Sequence, residues 1–385
     1  MGIYSEYLDK SLNLLELTNE RKRQLKRISE IRNHREIFAF ASALTKRAAI
    51  GIDYNDLLPI SDQLSNLKGD KIDIILETPG GIAEIAEDIV KLVRKSFSEV
   101  AMIIPGCAKS AGTIMAMAGD EILMNSTSAL GPIDAQISKG DRRFSAQAFL
   151  EGLNKIKEEA DSTGNLNLAY IPILQSISPG DIQTCENLLQ FSETLVTEWL
   201  KKYKFKFWTK HAKTGEPVTE EEKTKRAAEI ASILCNHAKW LTHERSIKIE
   251  DFEEMRFKVQ DYSKNVELHD AISRYYTLLM MTFDSTTVYK LFETATSQIY
   301  RFTKPPASIP SFGKKTPDSA LIDFECPNCK SISKIQTNFK KGLALQKGAL
   351  PFPKDDKFSC PHCKSVIDLS AIRRQIELET KSTIT

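Results

Sequence analysis

The sequence predicts an α/β domain on a mostly parallel sheet, running into a helix-rich second half and ending in a separate small module. Three patterns carry this reading. Apolar runs of strand length alternate with helical patterns as far as residue 124, apolar spacings of three and four dominate after residue 145, and two CxxC pairs lie beyond a proline-rich stretch. At 385 residues the chain exceeds one ordinary domain and is long enough to bury a sizeable core. With 41% hydrophobic and 27% charged residues and a net charge of +2, it is neither an acidic tail protein, a histone-like polycation nor a mostly disordered chain. Seven cysteines are too few for a disulfide framework at this length, which points to reduced thiols and a cytoplasmic compartment.

The N-terminus scatters its charges and has no unbroken apolar core, so it reads as neither secretory signal nor membrane anchor; Leu12, Leu14, Leu15 and Leu17 suggest an amphipathic helix. Residues 47–52 and 71–77 are expected strands, each followed by a helix, at 57–67 and 82–93. The stretch 100–118 has membrane length, but Pro105, Gly106, Lys109, Ser110 and Gly112 interrupt it. It reads as a strand at 100–104, a turn, and a short helix at 111–118 closed by Gly119. A strand at 121–124 follows. Residues 145–160, 166–210 with a break near Pro179 and Gly180, 227–243 and 271–301 are expected helices. No internal repeat is visible. Residues 303–319 hold four prolines and no periodicity, as an extended linker would.

The sharpest local signal is Cys326-Pro-Asn-Cys329 with Cys360-Pro-His-Cys363. Each CxxC turn presents two thiolates to one ion, so the two together suit a structural zinc ribbon; a closed four-thiolate shell leaves no open position for catalysis. A ribbon of this kind folds a module or binds a protein or nucleic-acid partner. A redox CxxC opens a helix after a strand, which neither pair does.

Two glycine- and serine-bearing turns supply the candidate chemistry. Thr78-Pro79-Gly80-Gly81 lies between strand and helix, where glycines allow close backbone approach. One strand later, Pro105-Gly106-Cys107-Ala108-Lys109-Ser110-Ala111-Gly112-Thr113 places a serine at a helix start, as a nucleophile turn or an ordinary N-cap would. Amides of Gly80, Gly81 and Ala111 converging on an oxyanion would be worth roughly 3 to 4 kcal/mol. Neither GxGxxG nor GxxxxGK[ST] occurs, which argues against nucleotide binding by those routes. Lys201 to Lys210 alternates cations with Tyr203, Phe205, Phe207 and Trp208. That composition suits base stacking, but packed aromatics with solvated lysines is the plainer account.

In order and spacing, ETPGGIAEIAEDIVKLV, IIPGCAKSAGTIMAMAGDEILM and ALGPIDAQ resemble the Clp/crotonase-fold serine peptidases, most closely the serine dehydrogenase proteinase (SDH) family. The match is good over residues 50–136, and Trp240-Leu241-Thr242-His243 is similar to that family's Trp-Thr-His segment. The chain departs from the family in having Glu77 for a histidine and Lys109-Ser110-Ala111-Gly112-Thr113 for Met-Ser-Gly-Gly-Thr. The resemblance implies a Clp/crotonase-like spiral over 47–265; outside it the sequence itself suggests a helical segment at 1–46, a helical extension at 266–302, a linker at 303–320 and the zinc ribbon at 321–385. The resemblance further implies Ser110 as nucleophile, an oxyanion hole of Gly80, Gly81 and Ala111, Asp134 beside the site, and assembly into a homo-oligomer.

The general base is less directly marked. No histidine lies between His34 and His211, so the Clp peptidase's own triad spacing is absent. A related Ser-Lys branch carries its lysine near the position of Lys155 and Lys157, which makes these two the expected base; Lys139 and His243 are further candidates. The expected function is ATP-independent peptide-bond hydrolysis. A crotonase-type acyl-CoA enzyme and a non-catalytic scaffold using the ribbon are the alternatives.

Overall fold

A computed structural model describes residues 2–139, 142–211, 213–303, 318–340, 342–370, 372–373 and 376–377. The chain forms two compact units, residues 1–303 and 304–385. The expected boundaries after residues 46 and 265 therefore both fall inside the first unit. Of the expected linker, residues 304–317 lie outside the described residues.

The first unit is organised by a seven-stranded sheet. Its order across the sheet is Gln298–Phe302, Val288–Thr294, Glu36–Ser42, Lys71–Glu77, Glu99–Ile103, Glu121–Met124 and Gln260–Asp261. The last five run parallel, and the first two are added antiparallel at one edge. Parallel strands are buried on both faces, and alternation divides their side chains between two cores. Phe38, Phe40, Ile72, Ile74, Leu76, Val100 and Met102 pack with the helices Leu57–Ser65, Ala83–Ser96 and Ala111–Met117. Ile37, Ala39, Ala41, Ile75, Ala101 and Ile103 face the helices Leu14–Ile31 and Val266–Ser285.

Two expectations are corrected here. Residues 47–52 do not form a strand of this sheet; the strand is Glu36–Ser42, inside the segment expected to be purely helical. Its large side chains, Phe38 and Phe40, go to one core and its alanines to the other, so the sequence shows an unbroken apolar run instead of alternation. Residues 43–50 instead turn back on themselves through Lys46 N–H to Ala43 O and Ala48 N–H to Lys46 O. The helix expected over 271–301 ends at Ser285. There Ser285 and Thr286 hydroxyls donate to carbonyls one turn back, at 2.7 and 2.6 Å, Thr286 turns extended, and Val288–Thr294 continues as a strand with Lys290 buried.

A second, shorter ladder stacks beside the main sheet. Ile52 bridges Gly81, Thr78 bridges Ala108, Cys107–Ala108 pairs with Ala129–Leu130, and Leu130 bridges Ile247. Each turn of the chain makes a main-sheet strand, passes through this ladder and returns as a helix, which is the expected spiral. The repeat is one of geometry, without repeated residues. Between the spiral's fourth strand and Ile247 the chain leaves as an arm, with helices Ala146–Thr163, Ile171–Gln175 and Pro179–Trp199; from 146 to 178 only Ala146 is buried. The expected break is real: Ser178 caps the helix that starts at Pro179. Tyr203 lies against Arg94, 3.8 Å from ring centroid to guanidinium, and Phe205 stacks edge-on with Trp208 and Phe257, so these three aromatics of the segment pack against the protein while Phe207 is exposed. Among the described residues no helix is long and apolar enough to cross a membrane.

The second unit is small. Ser319–Glu325 and Ile332–Asn338 form a hairpin, Leu350–Pro351 joins it, and Lys357–Ser359 pairs with Val366–Asp368. Among the described residues its buried core is Cys326, Ile335, Phe352, Phe358, Cys360 and Leu369.

Candidate active site and cysteine centre

Ser110 ends the turn after Cys107–Ala108 and precedes the Ala111–Met117 helix. Its backbone sits at φ 52° and ψ −118°, a region L-residues rarely adopt, and its side chain makes no capping bond to the helix. The N-cap alternative is therefore not what this serine does. The residue is half-buried and lines a cavity of about 260 Å3 whose apolar walls include Ile82, Ile114, Ile133, Leu188 and Phe191.

The glycine turn is pressed against it. Gly80 has φ +102°, and a Cβ there would fall 2.6 Å from Lys109 O and from Ser110 Cβ. Its N–H donates to Thr78 Oγ1 at 3.2 Å, so it is already engaged. Gly81 and Ala111 both line the cavity with Ser110, and neither amide N–H meets an acceptor among the described residues. Two unpartnered donors on either side of a strained serine can hold a developing oxyanion.

Asp134 lines the same cavity and is buried, its carboxylate accepting from three donors: Gln136 Nε2 at 2.7 Å, His237 Nδ1 at 3.0 Å and His243 Nδ1. Burial pushes this carboxyl up, but the His243 and then the His237 hydrogen bonds and charges bring it below its ordinary value. Backbone ties bring the pieces together. Thr113, on the serine's helix, donates to Ala108 O at 2.8 Å and accepts Gly131 N–H at 3.0 Å; Ile133 N–H donates to Leu234 O at 2.9 Å; Leu130 and Ile247 exchange bonds at 3.0 and 2.8 Å. Lys109 reaches the loop after His243 through Glu244 O and, at 3.5 Å, Ser246 Oγ.

Lys155 and Lys157 are exposed in the middle of the Ala146–Thr163 helix, and neither lines this cavity. Lys139 lies on the strand Gln136–Lys139. His237 was not singled out by sequence. It lies six residues before His243, a spacing with no helical meaning, and only the fold shows that both imidazoles share one carboxylate.

Glu77, in place of the family's histidine, is buried under both turns. Its carboxylate accepts Cys107 N–H at 2.9 Å and Tyr276 O–H at 3.3 Å. Burial pushes it up to about 7, against the Cys107, Tyr276 and Gly106 hydrogen bonds.

In the second unit the sulfurs of Cys326, Cys329, Cys360 and Cys363 all lie within 4.8 Å of one another. The two turns are alike: Lys330 and Lys364 both take φ 63°, each donates its N–H to the first cysteine's carbonyl, and Cys326 and Cys360 donate to Ser331 O and Ser365 O at 2.9 Å. The Ser365 hydroxyl and amide pull the Cys363 thiol down to about 6. Four converging thiols on two matched turns fit a single metal ion.

Residues 7–189 match the model of a family described as ClpP-like SDH-type serine proteinases. Two uncharacterized proteins of Methanocaldococcus jannaschii match over shorter stretches. One is 34% identical over 88 residues, 23% of this chain and 30% of that protein. The other is 39% identical over 72 residues, 19% of this chain and 25% of that protein. The chain thus spans under a third of the length of either relative. Among solved structures, a membrane-bound stomatin-specific protease in complex with a substrate peptide aligns at 16% identity over 53% of this chain and 68% of that chain, with a TM-score of 0.31. ClpP1 from Listeria monocytogenes aligns at 11% identity over 63% and 99%, with a TM-score of 0.29. At such scores these alignments carry no weight for the site.

Proposed function

We propose that this chain, whose residues 7–189 belong to the ClpP-like SDH-type serine proteinases, is an ATP-independent serine peptidase acting through an acyl-enzyme on Ser110. One observation carries the reading: a strained, uncapped serine opens onto a cavity shared with a buried aspartate that orients a histidine. Ser110 Oγ attacks the peptide carbonyl while its proton passes to His243 Nε2, and Gly81 and Ala111 N–H hold the oxyanion. The imidazolium returns the proton to the leaving amine as the C–N bond breaks, and a water then releases the acyl group by the same route. Asp134 fixes the tautomer by accepting from His243 Nδ1.

His243 is preferred to Lys155 and Lys157 as base because a catalytic lysine must be desolvated to lose its proton near neutrality, and both lysines are exposed. The reading includes peptide or protein substrates, a cytoplasmic location, a structural zinc ion on the four cysteines, and a homo-oligomer, to which the exposed Leu166, Leu168 and Ile173 of the arm lend support.

The test is the rate at which a fluorophosphonate labels the protein, with loss of fluoride as Oγ bonds to phosphorus. Ser110→Ala abolishes labelling. His243→Gln slows it by about 10³-fold or more, and a Lys155→Met, Lys157→Met double variant labels normally. Labelling that survives His243→Gln and disappears in the lysine variant returns the base to a lysine; labelling that persists in Ser110→Ala ends the peptidase reading.

A further inference from the structure

We infer that Lys109 is a positioning residue that docks the His243 loop onto the nucleophile turn. The loop from Leu241 to Ser246 is exposed except at His243, and Leu241 holds a left-handed φ of 66°. An exposed loop of this kind needs tethers to keep an imidazole at a fixed place. Its near end bonds back to the preceding helix, Leu241 N–H to His237 O and Thr242 N–H to Trp240 O, and more distant parts of the chain hold the rest. Asp134 grips His243 itself, the Leu130–Ile247 pair holds the loop's far end, and Lys109 Nζ donates to Glu244 O and to Ser246 Oγ, immediately after the histidine.

Of these, only Lys109 comes from the turn that carries the nucleophile. Its backbone is fixed on both sides. Its N–H donates to Thr78 O at 3.0 Å and its carbonyl accepts Gly112 N–H at 2.8 Å, while Gly131 lets the neighbouring backbone pass close to the start of its stem, where a Cβ would lie 3.1 Å from Lys109 Cβ. The ammonium is therefore anchored through a fixed backbone to the Ser110 turn, and the carbonyl it holds belongs to the residue after His243. The distance from imidazole to serine hydroxyl is set across this bridge as well as through Asp134. A methionine at this place would fill the same space and leave Glu244 O without its donor.

The inference rests on His243 being the base, and the experiment separates the two. Fluorophosphonate labelling of Ser110 is resolved into the binding constant and the limiting rate for wild type, Lys109→Met, Lys109→Arg and His243→Gln, with thermal unfolding measured alongside. Lys109→Met is expected to lower the limiting rate about tenfold while the binding constant and melting temperature stay within error, and Lys109→Arg to recover most of the rate. If His243→Gln is slow and Lys109→Met keeps the wild-type rate, the bridge does no positioning and the inference falls while the base assignment stands. If His243→Gln labels normally, the base assignment falls and this inference falls with it. A Lys109→Met variant that loses melting temperature and is not rescued by arginine marks Lys109 as structural only, which also overturns it.

Discussion

The Ser110 turn and the four-cysteine centre are both places where several side chains must meet, and they reach that end by opposite routes. Around Ser110 the geometry is enforced by a large packed body: two cores, a parallel sheet and a second ladder hold Gly80, Ser110, Gly131 and Ile247 in fixed relation before any side chain contributes. At the cysteine centre the buried core among the described residues is six residues, and the two CxxC turns are held mainly by their own hydrogen bonds. A site in a large core is preorganised by burial, so its weak points are backbone positions with no room. A site in a small module depends on its ligand, so its weak point is the ligand.

The largest expected effect tests that dependence. Removing metal with a chelator, or Cys360→Ser, should unfold the second unit, since structural zinc on thiolates supplies on the order of 10 kcal/mol of folding free energy. Hydrogen exchange should show residues 318–370 losing protection while the fluorophosphonate rate at Ser110 is unchanged. Loss of both together would contradict the division into two compact units.

The next effect probes the spiral at a buried charge. Lys290 is buried and donates to both Asp56 oxygens at 2.8 Å and to Gly51 O at 2.5 Å, while Ile52 N–H donates to Gly80 O at 2.7 Å. Lys290→Met strands the Asp56 carboxylate, which burial already pushes upward, and should cost about 3–5 kcal/mol in chemical denaturation. A cost under about 1 kcal/mol would mean that the Gly51–Asp56 loop is held by packing alone.

This contrast also explains what could be read from sequence. The cysteine centre was legible because its ligands come in two local pairs of fixed spacing. The strand–turn–helix around Ser110 was legible for the same reason, since each piece is contiguous. Asp134 and His243 lie 109 residues apart and His237 joins the same carboxylate, a meeting made by the arm's excursion and return, which no local pattern encodes. The strand at 36–42 was hidden because burial on both faces removes alternation, and the strands after residue 285 because their buried Lys290 and Glu293 look like a helix's solvated face until Asp56 and Arg21 are seen opposite them. Sequence placed a base on Lys155 and Lys157 by analogy of position, where the fold puts two exposed side chains.

Gly80→Ala is expected to come third. At φ +102° any side chain is strained, and this one would meet Ser110 Cβ and Lys109 O at 2.6 Å. About 1–3 kcal/mol of stability should be lost, with the labelling rate falling further than the melting temperature suggests, because relief can come only by moving the serine turn. A variant as reactive as wild type would show that the turn gives way without displacing the hydroxyl.

The smallest effect is a pH dependence lodged in the same packed body. Glu77 has a folded-state pKa pushed up to about 7 by burial, while the unfolded chain releases that proton near 4.5. Between these values the folded form binds more protons than the unfolded one, so stability falls as pH rises through the interval and levels off above about 7. Glu77→Gln removes the titration and keeps one acceptor oxygen, for Cys107 N–H, while its NH2 takes the place of the other oxygen and can donate to the Tyr276 hydroxyl, which now accepts. It should therefore be neutral or slightly destabilising at pH 5 and stabilising by about 1–2 kcal/mol at pH 8, less than the full shift implies because the amide gives up one of the two acceptor oxygens that Cys107 and Tyr276 use. Denaturant midpoints from pH 5 to 8 measure it. If wild type and variant keep parallel profiles, Glu77 does not titrate there and burial under the two turns is better solvated than its surroundings indicate.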